Sequence, residues 1–435
     1  MIVLKFGGTS VGNAENIKKV ATIVNACNAT KIVVLSAVSG TTNTLTKINK
    51  LLIIGKKEDA IDLIKELELS YNQLIKGLFS SEKHQLEAFS FIKNKFDELC
   101  SYTNSTHQNE KIILAQGELI STQLFQIYQN ELGVTSRLIS ALDFMSIDEH
   151  EEHETVIIKT KLTVILSNNN NIETFITQGY ICTNHKGEID NLKRGGSDYS
   201  ASLIGTAIDA EEIQIWTDID GMHNNDPRFV ENTFSIDEMT FDEAAELAYF
   251  GAKILHPQSI IPAQKNNIPV LLKNTFNPKD KGTIIQNCAS SDGVRAVAAK
   301  DGIVAIKIKS YRMLMAYGFL KNIFEIFEKY KTTIDMITTS EIAVSLTIDN
   351  PTYLTEILEE LQIIGNVTVD QQMSIVCLAG DFSQNGKGVS ASVLNCIKDI
   401  SIRMISYGGS NYNMSLLIAS EDKVKALNLL NKGLF

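Results

Sequence analysis

The sequence has no long apolar run, no closely spaced pair of cysteines and no excess of basic residues. Because a membrane-spanning helix needs ~20 consecutive apolar residues, we expect none here. The six cysteines lie far apart without a C-x-x-C pair, which argues against a zinc knuckle or a redox dithiol. Isolated cysteines are typical of small core residues in a reducing compartment, so we expect a cytoplasmic protein.

Positive charge is scarce. The 435 residues include 40 basic and 51 acidic side chains, for a formal net charge of −11, and only six residues are arginine. Nucleic acids and anionic membranes attract basic surfaces, so we expect neither as a partner. Hydrophobic residues make up 44% of the chain, a composition typical of globular proteins. At roughly 150 residues per domain, the length suggests two or three domains.

The first part of the chain alternates strand-like and helix-like segments. Residues 2–6 and 31–36 are short apolar strands, and each ends in a turn of small residues followed by a helical pattern. Such strand–loop–helix units favour an α/β fold with a mostly parallel sheet between helices. The pattern is helical from about 44 to 130. Further strands are predicted at 134–139, 156–158, 172–176 and 213–217.

After about residue 285 the pattern changes to two small α+β modules of ferredoxin-like type. The first has the order βαββαβ, and the second lacks its last strand, which we expect segment 294–300 to supply. The predicted elements are strands 303–309, 333–339, 342–348 and 365–370 with helices 317–330 and 352–363, then strands 373–379, 401–407 and 413–419 with helices 387–398 and 421–432. The expected domains are 1–290, 303–371 and 372–435.

A K-F-G-G-T-S motif at 5–10 covers the end of the first predicted strand and the turn after it. Paired glycines let backbone N–H groups approach a phosphate, and the preceding lysine adds a point charge. A plain tight turn is the alternative for this motif.

A second motif, K-R-G-G-S-D at 193–198, leads into a predicted helix. Arg194 could bind a small carboxylate through two parallel hydrogen bonds, and Asp198 could hold Lys5 or accept an ammonium group. A capped helix start with an incidental arginine is the alternative here. A third stretch, 216–228, is rich in aspartate but lacks the later glutamate of a calcium-binding loop.

Together these motifs resemble the aspartate kinases of the amino-acid kinase superfamily. The matching strings occur in the family's order: K-F-G-G-T-S at 5–10, V-V-L-S-A-V-S-G-T-T-N at 33–43, G-E at 117–118, R-G-G-S-D at 194–198, W-T-D at 216–218, D-P-R at 226–228 and G-A-K-I-L-H-P at 251–257. The C-terminal modules are similar to the family's paired ACT domains, which bind amino acids. Overall the chain is similar to the single-function, lysine-sensitive members.

The resemblance implies an enzyme that uses ATP and Mg²⁺ to phosphorylate the β-carboxylate of L-aspartate, the first step toward lysine, threonine and methionine. Lys5 would be catalytic and Asp198 would orient it. The residues implied for substrate binding are Ser36, Thr42, Glu118, Arg194, Gly195, Gly196 and Ser197. The residues implied for ATP binding are Lys5, Gly7, Gly8, Thr217, Asp218, His223, Arg228 and Lys253. No direct protein ligand of the metal is implied.

The resemblance also implies an effector site in the first C-terminal module. Its residues would be Met313, Ala316, Phe319, Leu320, Ile334, Asp335, Ser340 and Glu341. Two acidic residues suit lysine better than neutral threonine, so lysine is the expected inhibitor, and a homodimer or dimer of dimers through the modules is expected. Ala316 stands where relatives often have a hydroxyl residue, and His223 where they often have an aromatic one. A module that only dimerises is the alternative.

Two other functional classes remain open at this point. A kinase for another small carboxylate, or for carbamate, would share the phosphate-binding loops but would not need the C-terminal modules. An amino-acid sensor with an inactive kinase domain is the non-enzymatic alternative. The presence of Lys5, Glu118, Arg194 and Asp198 argues against an inactive domain.

Overall fold

The computed structural model describes residues 1–104, 110–192, 195–250, 255–288, 293–310, 318–382 and 387–435. The chain forms two compact units. The first comprises Met1–Met222, Ile236–Phe241 and Ile254–Asn287, and the second comprises His223–Ser235, Asp242–Lys253 and Cys288–Phe435. Within the described ranges, every helix is too short or too polar to cross a bilayer.

In the described residues, the first unit contains ten strands and the helices between them. The strands are β1 (Ile2–Phe6), β2 (Lys31–Leu35), β3 (Ser136–Leu138), β4 (Thr174–Gln178), β5 (Ile181–Thr183), β6 (Ile189–Asn191), β7 (Ile213–Thr217), β8 (Glu238–Met239), β9 (Val270–Asn274) and β10 (Thr283–Ile285). The helices are α1 (Ala14–Ala26), α2 (Thr41–Ile53), α3 (Lys57–Leu78), α4 (Glu82–Ser101), α5 (Glu110–Glu131), α6 (Ala141–Phe144), α7 (Thr155–Ser167), α8 (Gly196–Ala207), α9 (Phe241–Tyr249, grouped with the second unit from Asp242 on) and α10 (Ile261–Lys265).

Eight strands form one sheet in the order β3-β4-β2-β1-β7-β9-β10-β8, and β5 pairs with β6. Neighbouring strands of the large sheet are parallel except β9 and β10. Strands β1, β2 and β4 are buried along their whole length, as expected when helices cover both faces of a sheet. In the register, Phe6 lies opposite both Leu35 and Trp216, so the carboxyl ends of the central strands are level.

The predicted strand at 156–158 is wrong, because these residues lie in helix α7. Ile158 and Leu162, one turn apart, are buried, whereas Val156 is 78% exposed. A run of three β-branched residues suggested a strand, but burial follows the helical period. The helical pattern over 44–130 corresponds to the four helices α2 to α5.

The described part of the second unit contains six further strands and four further α-helices. Its strands are β11 (Gly293–Lys309), β12 (Ile337–Thr339), β13 (Ala343–Ile348), β14 (Asn366–Asp381), β15 (Ile402–Tyr407) and β16 (Asn413–Ala419). Its helices are α11 (Phe319–Lys329), α12 (Leu354–Ile364), α13 (Val389–Cys396) and α14 (Lys423–Leu434).

These strands form one antiparallel sheet in the order β12-β13-β11-β14-β16-β15. Segments predicted as separate strands, 294–300 and 303–309, are the two halves of β11, and 365–370 and 373–379 are joined in β14. The first half of β11 pairs with the second half of β14, and Lys300 lies opposite Ile375. The predicted fold class, an α/β unit followed by α+β structure, is confirmed.

Candidate active site

Loops leave the carboxyl edge of the large sheet side by side. The Ser36 N–H donates to the Phe6 carbonyl at 3.2 Å, and the Gly179 N–H donates to the Leu35 carbonyl at 2.9 Å. These bonds extend the ladder one residue beyond β2 and β4. Ligands of α/β sheets bind at this edge, because the loop side chains gather there.

A cavity of about 370 Å³ lies at this edge. Its lining residues come from the loops after β1, β2 and β4 and from helices α2, α5 and α8. They are Gly8, Thr9, Ser36, Ala37, Val38, Ser39, Gly40, Thr42, Glu118, Tyr180, Gly196 and Ser197. The structure thus brings together Gly8, Ser36, Thr42, Glu118, Gly196 and Ser197, all of which the sequence assigned to the site.

Lys5 and Asp198 form an ion pair next to these residues. The Lys5 Nζ lies 2.6 Å from Asp198 Oδ1, and the two side chains are only 11% and 15% exposed. Water screens such a pair poorly, so each charge holds the other firmly in place. Asp198 lies in the first turn of α8, where the helix dipole favours an anion.

Glu118 is a buried carboxylate that faces the cavity from α5. Its Oε1 accepts the Ala37 N–H at 3.2 Å, and its Oε2 has no hydrogen-bond partner among the described residues. Burial raises the pKa of Glu118 to about 8, and the Ala37 N–H opposes this rise. A cation beside the free oxygen would stabilise the ionised form, so the position suits an ammonium group.

Two helices begin at the cavity, and each is preceded by a left-handed glycine. Gly40 (φ +84°) precedes α2, and Gly195 (φ +72°) precedes α8, whose first residue is Gly196. The first N–H groups of a helix have no partner within that helix and carry partial positive charge. Two such helix starts make the cavity suitable for anionic groups.

The loops around the cavity approach one another closely. A Cβ at Gly8 would lie 3.2 Å from the Ala37 carbonyl oxygen, and one at Gly7 would lie 3.3 Å from Lys5 Nζ. The Ser36 hydroxyl donates to the Ser197 hydroxyl at 2.9 Å. The absence of a side chain at Gly7 and Gly8 therefore leaves room for the Lys5 side chain and for the loop after β2.

The expected nucleotide residues are divided between the two units. Thr217 ends β7 and donates from its hydroxyl to Asp218 Oδ1 at 3.1 Å, at the same sheet edge as Gly7. His223 and Arg228 belong to the second unit. There the guanidinium of Arg228 contacts both carboxylate oxygens of Asp226. Arg194 and Lys253, two further expected site residues, lie outside the described residues.

Tyr180 is a cavity residue that the motifs did not identify. It follows β4 and Gly179 with a positive φ of +67°. Burial, with a smaller effect of Glu118, raises the pKa of Tyr180 to about 12. Its position directly after a buried strand could have identified it from the sequence, because loop residues at this sheet edge face the ligand.

The proposed effector residues of the second unit centre on Asp335, whose side chain is fully buried. Asp335 Oδ1 accepts the Tyr249 hydroxyl at 2.9 Å and lies 3.2 Å from Lys300 Nζ, which also pairs with Asp349 at 2.8 Å. Asp335 Oδ2 has no hydrogen-bond partner among the described residues. Burial raises the pKa of Asp335, and Lys300 opposes this rise.

The other proposed effector residues differ in exposure. Phe319 and Ile334 pack in the core formed by β11, β13, α11 and α12. Leu320, Ser340 and Glu341 are exposed, and the Ser340 N–H donates to the Ala343 carbonyl at 2.8 Å. In the sequence, Asp335 and Glu341 lie on either side of the edge strand β12. Met313 and Ala316 lie outside the described residues.

Two family models match parts of the chain. Residues 1–274 match the model of the amino acid kinase family, and residues 376–434 match that of an ACT domain. An α/β unit whose loops combine a lysine–aspartate pair with two helix starts is suited to binding phosphoryl groups, as a kinase of small molecules requires. The chain belongs to the amino acid kinase family, and within it to the aspartokinases.

Similar proteins match over the whole chain. The lysine-sensitive aspartokinase 3 of Escherichia coli is 32% identical over 447 residues, covering 100% of this chain and 99% of that protein. The chloroplastic aspartokinase 3 of Arabidopsis thaliana is 33% identical, with 100% and 81% covered. The crystal structure of E. coli aspartokinase III in complex with lysine and aspartate has a TM-score of 0.86 at 31% identity, covering 100% and 99% of the chains. The complex with aspartate and ADP has a TM-score of 0.84 at 31% identity, with both chains covered completely.

Proposed function

We propose that the protein transfers the γ-phosphoryl group of ATP to the β-carboxylate of L-aspartate, giving 4-phospho-L-aspartate and ADP. Glu118 carries the proposal, because it lines a cavity that also receives two helix starts, and one of its buried carboxylate oxygens has no hydrogen-bond partner among the described residues. Aspartate matches this arrangement, since it combines one ammonium group with two carboxylates. The names of the relatives, and the aspartate and ADP bound in one of them, support the same reaction.

The reaction needs no general base. The β-carboxylate has an ordinary pKa of ~3.9, so it is already ionised at neutral pH. One of its oxygens attacks the γ-phosphorus, and the bond from that phosphorus to the ADP oxygen breaks. The protein aligns two anions and neutralises charge, through the Lys5 ammonium and the N–H groups of the glycine loop and helix starts. Asp198 keeps Lys5 in place.

Each substrate group is assigned to particular residues by the resemblance. Arg194 binds the α-carboxylate of aspartate and Glu118 its ammonium group, while Ser36, Thr42 and Ser197 complete the pocket with Gly195 and Gly196. The nucleotide is bound by Lys5, Gly7, Gly8, Thr217 and Asp218, together with His223, Arg228 and Lys253.

ATP is used with Mg²⁺, which supplies positive charge to the phosphate oxygens when it is bound. Mg²⁺ keeps several waters and binds chiefly through substrate phosphates. Direct Asp or Glu ligands of the metal are therefore expected to be few. We therefore assign no direct protein ligand.

We assign catalysis to a domain of residues 1–290 and regulation to two C-terminal modules, residues 303–371 and 372–435. Strand 294–300 completes the second module. Lysine is the proposed inhibitor, and the buried Asp335, whose Oδ2 has no hydrogen-bond partner among the described residues, supports a cationic effector. The modules are also proposed to join the chains as a homodimer or dimer of dimers. The edge strand β12 supports this, because an edge exposes backbone groups that can pair with a second copy. The wide spacing of the six cysteines, without a C-x-x-C pair, supports a cytoplasmic location.

The test is aspartate-dependent ADP release, measured with ATP and Mg²⁺ against a panel of aspartate, glutamate, N-acetylglutamate and carbamate. We expect turnover with aspartate alone, and inhibition by lysine rather than threonine. Arg194→Ala should raise the KM for aspartate steeply and leave the KM for ATP within about twofold. Unchanged aspartate kinetics in this variant would overturn the assignment.

A further inference from the structure

The segment that contains His223 and Arg228 is held by the last helix of the chain. Residues 223–235 belong to the second unit together with α14. Val230 is buried in the same apolar core as Leu427 and Leu430 of that helix. The apolar packing joins the segment to α14, so its position depends on that helix.

Asn224 links the segment to two other elements. It is fully buried, and its side-chain amide donates to Asn431 Oδ1 of α14 at 3.1 Å. Its carbonyl accepts the Val297 N–H of β11 at 2.8 Å. Its side-chain oxygen accepts the Phe234 N–H at 2.9 Å and closes the loop on itself. A buried amide is costly unless its polar atoms are bonded, so this loop conformation requires those partners.

Asn225 continues the connection toward the arginine. Its amide donates to the Leu427 carbonyl of α14 at 3.0 Å, and its side-chain oxygen accepts the Asp226 N–H at 2.9 Å. Asp226 in turn accepts both the backbone N–H of Arg228 and its guanidinium. A continuous series of hydrogen bonds therefore runs from α14 to the Arg228 side chain.

Two further residues of α14, Asn428 and Lys423, contact the segment at Phe229. The Asn428 amide donates to the Phe229 carbonyl at 3.2 Å, and Lys423 Nζ lies 4.1 Å from the centre of the Phe229 ring. The Arg228 guanidinium remains 68% exposed, although Asp226 fixes its direction. An arginine side chain that is both oriented and accessible to solvent can bind an anion with little reorganisation.

We propose that α14 positions the segment 223–228 for nucleotide binding, with Asn225 and Asn431 as positioning residues. The inference rests on the proposed function, in that His223 and Arg228 are assigned to ATP. It adds that the C-terminal helix, through these two asparagines, sets the affinity for the nucleotide.

The test compares three variants of the full chain. Asn431→Leu removes the acceptor of the Asn224 amide, Asn431→Asp keeps an acceptor at the same place, and Lys425→Ala changes an exposed residue of the same helix. ADP affinity is measured by calorimetry, and the KM values for ATP and aspartate by ADP release. Losing one buried hydrogen bond corresponds to a roughly two- to tenfold change in affinity.

We expect Asn431→Leu to weaken ADP binding and raise the KM for ATP within that range, with the KM for aspartate changed less than about twofold. Asn431→Asp and Lys425→Ala should resemble the wild type. If Asn431→Leu does not fold, Asn428→Ala, which removes an exposed donor to the segment, should show the same direction of change with a smaller size.

Wild-type ADP affinity in Asn431→Leu or, if that variant does not fold, in Asn428→Ala would overturn the inference. Equal losses in the leucine and aspartate variants, with both KM values raised together, would reduce Asn431 to a purely structural role and overturn it as well. The proposed function fails separately, if the wild type releases no ADP in response to aspartate. The calorimetric comparison reports on the positioning role in either case.

Discussion

The ammonium group of Lys5 lies 2.6 Å from the carboxylate of Asp198, and both side chains are largely withdrawn from water. Lys5 comes from the first strand and Asp198 from the first turn of α8, so the contact forms only when the sheet and this helix have assembled. The pair fixes a positive charge at the sheet edge where the cavity opens. A fixed charge stabilises a transferring phosphoryl group without reorganisation during the reaction.

Asp198→Asn should therefore impair catalysis more than binding. Without the carboxylate, Lys5 loses the group that orients it, and we expect kcat to fall about 100-fold or more while the fold is kept. Steady-state kinetics and circular dichroism check this. Asp209→Asn is the control, since Asp209 pairs with Lys159 at 2.7 Å on the exposed surface and should leave kcat within about twofold. Near-normal kcat in Asp198→Asn would contradict the role given to the pair.

Glu118 should make aspartate binding depend on pH. Its pKa is raised to about 8 in the empty site, so below that pH the ammonium of aspartate can bind well only after the carboxyl loses its proton. We expect the KM for aspartate to fall as the pH rises from about 6.5 to about 8.5. Glu118→Gln should have a higher KM that no longer changes over this range. A pH-dependent KM in the glutamine variant would assign the effect to another group.

Glu118 should also make protein stability depend on pH. A rise in pH that favours aspartate binding should lower the stability of the ligand-free protein. Because the folded-state pKa of Glu118 exceeds its ordinary value of 4.5, the folded protein holds this proton more tightly than the unfolded chain. The free energy of unfolding of the ligand-free protein should therefore decrease as the pH rises from 4.5 to about 8, relative to Glu118→Gln. Denaturant titrations of both proteins at several pH values measure the difference. Parallel pH profiles for the two proteins would refute the raised pKa.

Much of the fold follows from local patterns. The strand and glycine turn at 2–8, and most elements of the C-terminal modules, have clear periodicity or turn residues, and the structure places them within a few residues of the prediction. The strand predicted for the V-I-I run at 156–158 was wrong, because a short apolar stretch fits a strand and a helix equally well. Burial of Ile158 and Leu162 decides between them only after the helix has packed.

The electrostatics of the site could not be predicted in the same way. Nothing near Glu118 in the sequence indicates that one of its oxygens is buried without a hydrogen-bond partner among the described residues, since this depends on the loop after β2 folding over α5. The partners of Asp335 are likewise distant in sequence, because Tyr249 and Lys300 come from α9 and β11. Motifs identify residue types, whereas pKa values and pairing depend on tertiary contacts.

Asp335→Asn should reduce inhibition by lysine. Lys300 is shared between Asp335 and Asp349, so among the described residues this group has excess negative charge and an oxygen without a partner that an effector ammonium can contact. Without that charge we expect the lysine concentration for half-inhibition to rise about tenfold or more. Glu359→Gln, a charge removed from an exposed position on α12, should leave it unchanged. Equal lysine sensitivity in wild type and Asp335→Asn would place the effector elsewhere.

Gly179→Ala should disturb the substrate pocket through a single methyl group. A Cβ at Gly179 would lie 2.3 Å from Ser197 Cβ and 2.4 Å from its hydroxyl oxygen, so the first turn of α8 must move. This movement breaks the hydrogen bond between Ser36 and Ser197 and shifts the helix start that faces the cavity. We expect the KM for aspartate to rise about tenfold and the free energy of unfolding to fall by about 1–3 kcal/mol. Gly409→Ala is the matched control, because a Cβ there meets no atom within 4 Å. Unaltered aspartate kinetics in Gly179→Ala would show that the close packing of this glycine on Ser197 does not shape the pocket.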